Sequence, residues 1–199
     1  VSLDPKAPQI AAAHAQGAAC AYLAEAGALV FFDGKTAQTV THVRDVPITM
    51  GGAARYNVSN ALQAMCASLA MGLPPQSVAA GLAAFRPDPK NNPGRCNEFS
   101  YNGARLFVDF AHNPHSIAAV CEAVSALPAK RRFITLSHAG DRSDQDIHDV
   151  TLTALRFQPD TLVAVEMEDY LRGRTVGEIP SLIKKAALEA GMHSTQLQS

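Results

Sequence analysis

The chain has 199 residues, 47% hydrophobic and 18% charged, with a formal net charge of −1. It is long enough to bury a sizeable core, as one large domain or two small ones. These values exclude the basic excess of a nucleic-acid binder, and no apolar run is long enough to span a bilayer.

The opening "VSLDPKAPQI" lacks the charged-then-apolar pattern of a signal peptide and starts as if cut from a longer chain. Cys20, Cys66, Cys96 and Cys121 form no CxxC pair, so neither a zinc ribbon nor a disulfide framework is indicated. They read as ordinary thiols of a reducing compartment.

Residues 8–16 predict a short helix, and "CAYLAE", "ALVFF" and "AQTVTHV" predict strands. Asp33-Gly34 between the last two is a hairpin signal. From Ala53 the period changes: Ala54, Val58, Ala61, Leu62, Met65 and Leu69 recur at helical spacing, with Gly72 as the stop. A second helix is expected over 75–84. The Pro-, Asn- and Gly-rich "RPDPKNNPG" reads as a linker, which places a domain boundary near residue 90.

Beyond it strands and helices alternate: strand 105–110, helix 115–126, strand 132–137, helix 144–157, strand 160–166 and helix 176–190. This order predicts an α/β, Rossmann-like domain, with a largely parallel sheet and flanking helices. "RLFVDF", "RFITLS" and "TLVAVE" are nearly continuous apolar runs, as strands buried on both faces should be.

In such sheets working residues lie just beyond the carboxyl ends of the strands. That rule selects Asp109, His112, Asn113 and His115 in a first loop, and His138, Gly140, Asp141, Arg142 and Asp144 in a second. The third loop offers Glu168, Asp169, Arg172 and Arg174. Plain structural roles compete with the functional ones. Asn113 before Pro114 fits an N-cap, Ser143 or Asp144 fits the next one, and Arg172 and Arg174 fit a solvated pair. His112, His115, His138 and Asp141 are metal-ligand types, but two of the histidines straddle a helix start and no HExxH occurs. No GxSxG supports a serine nucleophile. A nucleotide suits the sheet better: a strand-end aspartate can accept ribose hydroxyls, and Arg95 can grip phosphate. Neither GxxxxGK[ST] nor GxGxxG is present, so a complete triphosphate cradle is missing.

In combination the motifs gain a family resemblance. "RYNVSNALQA", "NPGRCNEF" and "VDFAHNPHS" resemble, in order and spacing, the adenine-contacting helix, the Pro-Gly-Arg segment and the Asp-Tyr-Ala-His-Asn-Pro segment of Mur ligases. Phe110 stands where tyrosine is usual. "GDRSDQDI", "YLRGRTVGEIP" and "DVPITMGGAARYNVSNALQA" resemble the cyanophycin synthetase branch of that superfamily. The resemblance implies an ATP- and Mg2+-dependent amide ligase of the cytoplasm, homo-oligomeric in full-length form. It would join arginine to the side-chain carboxylate of a poly-aspartate (cyanophycin) primer, with neither nucleic acid nor membrane as partner.

By position, Asn57, Arg95 and Asp109 would contact the nucleotide, with Asn60 structural. His112, Asp141 and Arg142 would line the reacting centre. Arg172 would hold the amino acid's α-carboxylate, and Asp169 and Glu178 are candidate partners for a guanidinium. The resemblance also implies that residues 1–90 are the tail of a central ATPase domain (a β-hairpin plus helices). Residues 91–199 would be a C-terminal domain lacking its last element. Without a GxxxxGK[ST] phosphate loop the chain is expected to have no ligase activity alone. Two other readings stay open: a peptidoglycan-precursor or folate-type glutamate ligase, and a non-catalytic Rossmann-like binding or oligomerisation module.

Overall fold

The computed structural model describes residues 1–199, which divide into two compact units, Val1–Phe110 and Ala111–Ser199. In the first, Pro8 opens helix α1 (Pro8–Gln16), and Gly17, left-handed at φ 63°, closes it. Strands β1 (Cys20–Leu23), β2 (Ala28–Phe32) and β3 (Ala37–His42) form an antiparallel sheet in chain order. The Asp33-Gly34 turn has a side-chain cause. Asp33 Oδ1 accepts the backbone N–H groups of Lys35 and Thr36, both at 2.8 Å. Those bonds hold the Asp33 carboxyl below the usual carboxylate range.

Helix α2 (Arg55–Ala70) lays Val58, Ala61, Leu62 and Met65 on the sheet, and α3 (Pro75–Ala84) adds Val78. The sheet contributes Ala21, Leu29 and Phe31 to the same core. Gly72, at φ 87°, follows the end of α2 as its sequence position predicts.

Strands β4 (Asn97–Tyr101) and β5 (Ala104–Val108) correct one expectation. "RLFVDF" was expected to be a buried parallel strand. Instead β5 is the second arm of an antiparallel two-stranded hairpin, with Leu106 44% and Val108 53% exposed. The cause is local: Asn102 and Gly103 both take positive φ, 48° and 80°, the tight-turn pattern that reverses a chain in two residues. Apolarity alone could not distinguish the two fates.

In the second unit β6 (Phe133–Leu136), β7 (Thr161–Ala164) and β8 (Leu197–Gln198) lie parallel in that order. Helices α4 (Pro114–Ser125), α5 (Asp144–Leu155) and α6 (Glu178–Glu189) flank them, α5 packing against both others. The α/β reading therefore holds for this unit. The short β8, paired with β7, was not among the strands expected from the sequence. The core joins Leu136, Leu162 and Ala164 of the sheet to Ile117, Ile147, Val150, Ile179 and Ile183 of the helices. It fills one face only: Phe133, on the other, is 58% exposed, so "RFITLS" is not buried on both sides.

Because Ile147 is fully buried at the centre of this core, Ile147→Ala should destabilise the second unit by roughly 2–5 kcal/mol in urea unfolding. A loss under about 0.5 kcal/mol, the range of inert surface sites, would refute the packing described.

Candidate functional site

The Pro-Gly-Arg turn of the first unit is held by two side chains. Asn97, 2% exposed, accepts the Gly94 N–H at 2.7 Å and donates to the Asn92 carbonyl at 2.8 Å. Asp109 Oδ2 accepts the backbone N–H of Cys96 at 2.7 Å, and the Phe110 N–H reaches the Gly94 carbonyl at 2.9 Å. Cys96 takes φ 48° at the bend. The turn thus presents Arg95, exposed, with its guanidinium 5.8 Å from the centre of the Phe110 ring. Nearby Tyr56 buries a phenol oxygen without a hydrogen-bond partner, and burial raises its pKa. Asn57 spends its amide inside the unit: Nδ2 donates to the Ile48 carbonyl at 2.9 Å, and Oδ1 accepts from Asn60 at 3.2 Å.

In the second unit both N-cap readings are realised. Asn113 caps α4 in a reciprocal capping box with Ser116, with Pro114 at the first helical position. Ser143, not Asp144, caps α5 in a box with Asp146. His112 stands exposed just before α4, its backbone N–H donating to Ser116 Oγ at 3.2 Å. His138, at the carboxyl end of β6, is 5% exposed, and its Nε2 has no hydrogen-bond partner. Burial lowers its pKa, and the charges of Arg142 and His112 push the same way. The imidazole is therefore neutral at pH 7, and His112 and His138 are brought into one electrostatic neighbourhood.

The loops after β6 and β7 meet because parallel neighbours end on the same edge of the sheet. Gly140 donates its N–H to the Tyr170 carbonyl at 2.9 Å. A Cβ on Gly140 would sit 1.9 Å from the Leu171 carbonyl oxygen, so only glycine permits this approach. One residue on, Asp141 Oδ2 accepts from Arg172 Nη1 at 2.8 Å, and both side chains are about half exposed. Arg172 holds the left-handed φ of 47°.

Beneath that pair lies Arg174. Its Nε donates to the Gly140 carbonyl at 2.9 Å and its Nη2 to the Arg142 carbonyl at 2.6 Å. Its ion-pair partners are Asp144 at 2.8 Å and Glu178 at 2.5 Å. Glu178 also accepts from the Thr175 N–H and hydroxyl, so both its oxygens are engaged. The Thr175 N–H and Arg174 together hold its carboxyl below the usual range. At the next turn Glu166 Oε2 accepts the Gly177 N–H at 2.7 Å, while its other oxygen is buried without a partner.

The structure thus brings Asp141, Arg142 and Arg172 to one place. Glu178 lies in the Arg174 network beside them, and Asp169 is exposed on a short turn over Glu168–Tyr170. Asn57, Arg95 and Asp109 lie in the first unit. No three His, Cys, Asp or Glu side chains gather as a metal-binding group. A groove between α4 and α5, lined by Cys121 and Phe157, contains none of the predicted site residues. Sequence reasoning missed Asn97, and it named Arg174 as a third-loop candidate or half of a solvated pair without assigning it a partner. "NG" after "SY" and the glycine in "HAGD" were the available signals for the β4–β5 turn and the close loop approach.

The chain matches the family described as Mur ligase, glutamate ligase domain, over residues 94–197. It is 33% identical over 172 residues to the cyanophycin synthetase of Trichormus variabilis, covering 86% of this chain and 19% of that protein. For the Synechocystis enzyme of the same name the identity is 31% over 188 residues, covering 94% and 21%. The chain therefore spans about a fifth of the length of these relatives. The UDP-N-acetylmuramate–L-alanine ligase of Rhizobium meliloti is 36% identical over 88 residues, covering 42% of this chain and 17% of that enzyme. Among solved structures, the UDP-N-acetylmuramoylalanyl-D-glutamyl-2,6-diaminopimelate–D-alanyl-D-alanyl ligase of Acinetobacter baumannii superposes with a TM-score of 0.60 at 18% identity. That superposition covers 90% of this chain and 34% of that one, a likeness of fold. No helix is long and apolar enough to cross a membrane.

His138 makes a pH prediction. Its folded pKa lies below the ordinary 6.5, so the unfolded chain takes up the proton first. Stability should therefore fall as pH drops through about 6.5 towards the lowered value and change little above it. In urea titrations between pH 7.5 and 5.5, His138→Gln should flatten that loss. An unchanged slope would place the imidazole in water.

Proposed function

This chain belongs to the Mur ligase family, and on that premise we propose that it forms the amino-acid-receiving part of a cyanophycin-synthetase-like, ATP-dependent carbon–nitrogen ligase. The supporting observation is reach: similarity to cyanophycin synthetases runs through both units, whereas that to the muramate–alanine ligase covers less than half the chain. In this reading a side-chain carboxylate of an aspartate polymer is activated and an amine of arginine attacks it. The complete enzyme would be cytoplasmic and homo-oligomeric, as the resemblance implies.

Asn57, Arg95 and Asp109 would hold the nucleotide, which when bound supplies the phosphoryl group that makes the carboxylate electrophilic. Their fit is partial. Arg95 is exposed and suits a ribose or phosphate oxygen. Asp109 has one oxygen committed to Cys96, and the Asn57 Nδ2 must leave Ile48 or share its donors to reach a base. Gly34-Lys35-Thr36 lies in the Asp33 turn between β2 and β3, and Leu29 stands where a P-loop would need its first glycine, so no phosphate-cradling GxxxxGK[ST] loop occurs in the chain. No group of three His, Cys, Asp or Glu side chains forms a ready-made cage for Mg2+.

The acceptor end fits better. Arg172 carries a planar fork suited to an α-carboxylate, and its exposed partner Asp141 can yield it to a ligand. Arg142 would add positive charge and His112 hydrogen bonds at the reacting centre. Asp169 is the acid left to meet an incoming guanidinium, because Glu178 is committed to Arg174 and Thr175.

Arginine titrated into the 15N-labelled chain should shift the amides of Asp141, Asp169 and Arg172 saturably, with glutamate and alanine weaker. Arg172→Ala should weaken the response about tenfold or more, the scale of one charge-assisted bidentate contact. The 199 residues alone should release no phosphate from ATP. Equal or stronger responses to glutamate would contradict the proposed substrate.

A further inference from the structure

Arg174 is a charged side chain largely enclosed in the loop face, 16% exposed. It stands in the loop after β7, and its ligands come from the loop after β6 and from two helix starts. Gly140 and Arg142 offer carbonyls, Asp144 offers a carboxylate from the first turn of α5, and Glu178 one from the first turn of α6. Donation by Nε, Nη1 and Nη2 in one plane requires a guanidinium, and an ammonium cannot reproduce that fork. Two carboxylates face one cation, so removal of the side chain would leave two negative charges without a partner.

The exposed pair Asp141–Arg172 is built directly on this arrangement. Asp141 follows Gly140, whose carbonyl Arg174 holds, and Arg172 precedes Arg174 by two residues. Gly140 lets the two backbones touch, but the touching segments carry no apolar side chain in the core of the unit. One backbone bond, Gly140 N–H to the Tyr170 carbonyl, joins them, and the charge-assisted bonds of Arg174 add the side-chain ties from Gly140 and Arg142 to the first turns of α5 and α6.

We infer that Arg174 fills a guanidinium socket which positions Asp141 and Arg172, and that the socket, once emptied, binds free guanidinium. This goes beyond the proposed reaction and does not rest on it. A failure of arginine binding at Arg172 would leave the socket standing, and the reverse also holds.

The test uses Arg174→Ala and Arg174→Lys in the 199-residue chain, with guanidinium chloride, methylammonium chloride or sodium chloride at equal millimolar concentrations. Arg174→Ala should lower the thermal midpoint by roughly 5–10 °C. Guanidinium should recover most of that shift saturably and return the Arg172 Nε–H resonance to its wild-type position. Methylammonium and sodium should do neither, the wild type should not respond, and Arg174→Lys should stay near Arg174→Ala. If Arg174→Ala is unfolded without additive, refolding in guanidinium but not methylammonium supports the socket. An unchanged midpoint in Arg174→Ala, or recovery equal in all salts or absent from all, overturns it.

Discussion

A guanidinium taken out of water must find an acceptor for each donor it presents, or the loops around it will not hold. Arg174 meets most of that demand: two carbonyls and two carboxylates, drawn from four residues of the second unit, face its five N–H groups. The rest of the loop face follows from it. Gly140 can touch Leu171, Asp141 can reach Arg172, and the first turns of α5 and α6 each carry a charge of the sign their helix dipole favours.

The same economy governs the first unit on a smaller scale. Asn97 and Asp109 spend their side chains on backbone N–H groups of the Pro-Gly-Arg turn, and Arg95 is exposed as a result. A residue read as a nucleotide contact can therefore carry a structural duty as well. Asp109 commits an oxygen to the Cys96 N–H, and Asn57 commits its amide nitrogen to the Ile48 carbonyl. His138 is the opposite case: its Nε2 is buried with no bond to make, which fixes the ring as neutral rather than fixing a neighbour.

Much of the fold was legible from local signals. Helices over 8–16 and 75–84 appear at those bounds because proline and glycine mark their ends. The alternation after residue 110 gave the parallel unit, because buried strands and amphipathic helices differ in period. The fate of "RLFVDF" was misread because apolarity does not report pairing, whereas the Asn102-Gly103 turn does. The strand at Leu197–Gln198 is too short to carry a pattern. For the loops, the sequence indicated that those after β6 and β7 would meet, since the ends of parallel neighbours follow from topology. It also counted the loop after β5 with them, although β5 lies in a separate hairpin. It could not tell Arg172 from Arg174, two residues apart. One is half exposed and the other enclosed, and only the close approach at Gly140 decides which.

The central claim is that one enclosed guanidinium holds the loops after β6 and β7 as a single surface. It is tested most directly by hydrogen exchange of arginine Nε–H groups in the unmodified chain, followed by 15N spectra at neutral pH. The account predicts a slowly exchanging Arg174 Nε–H, donated to the Gly140 carbonyl, against rapid exchange at exposed Arg44 and Arg172. Exchange at Arg174 as fast as at Arg44 would contradict it.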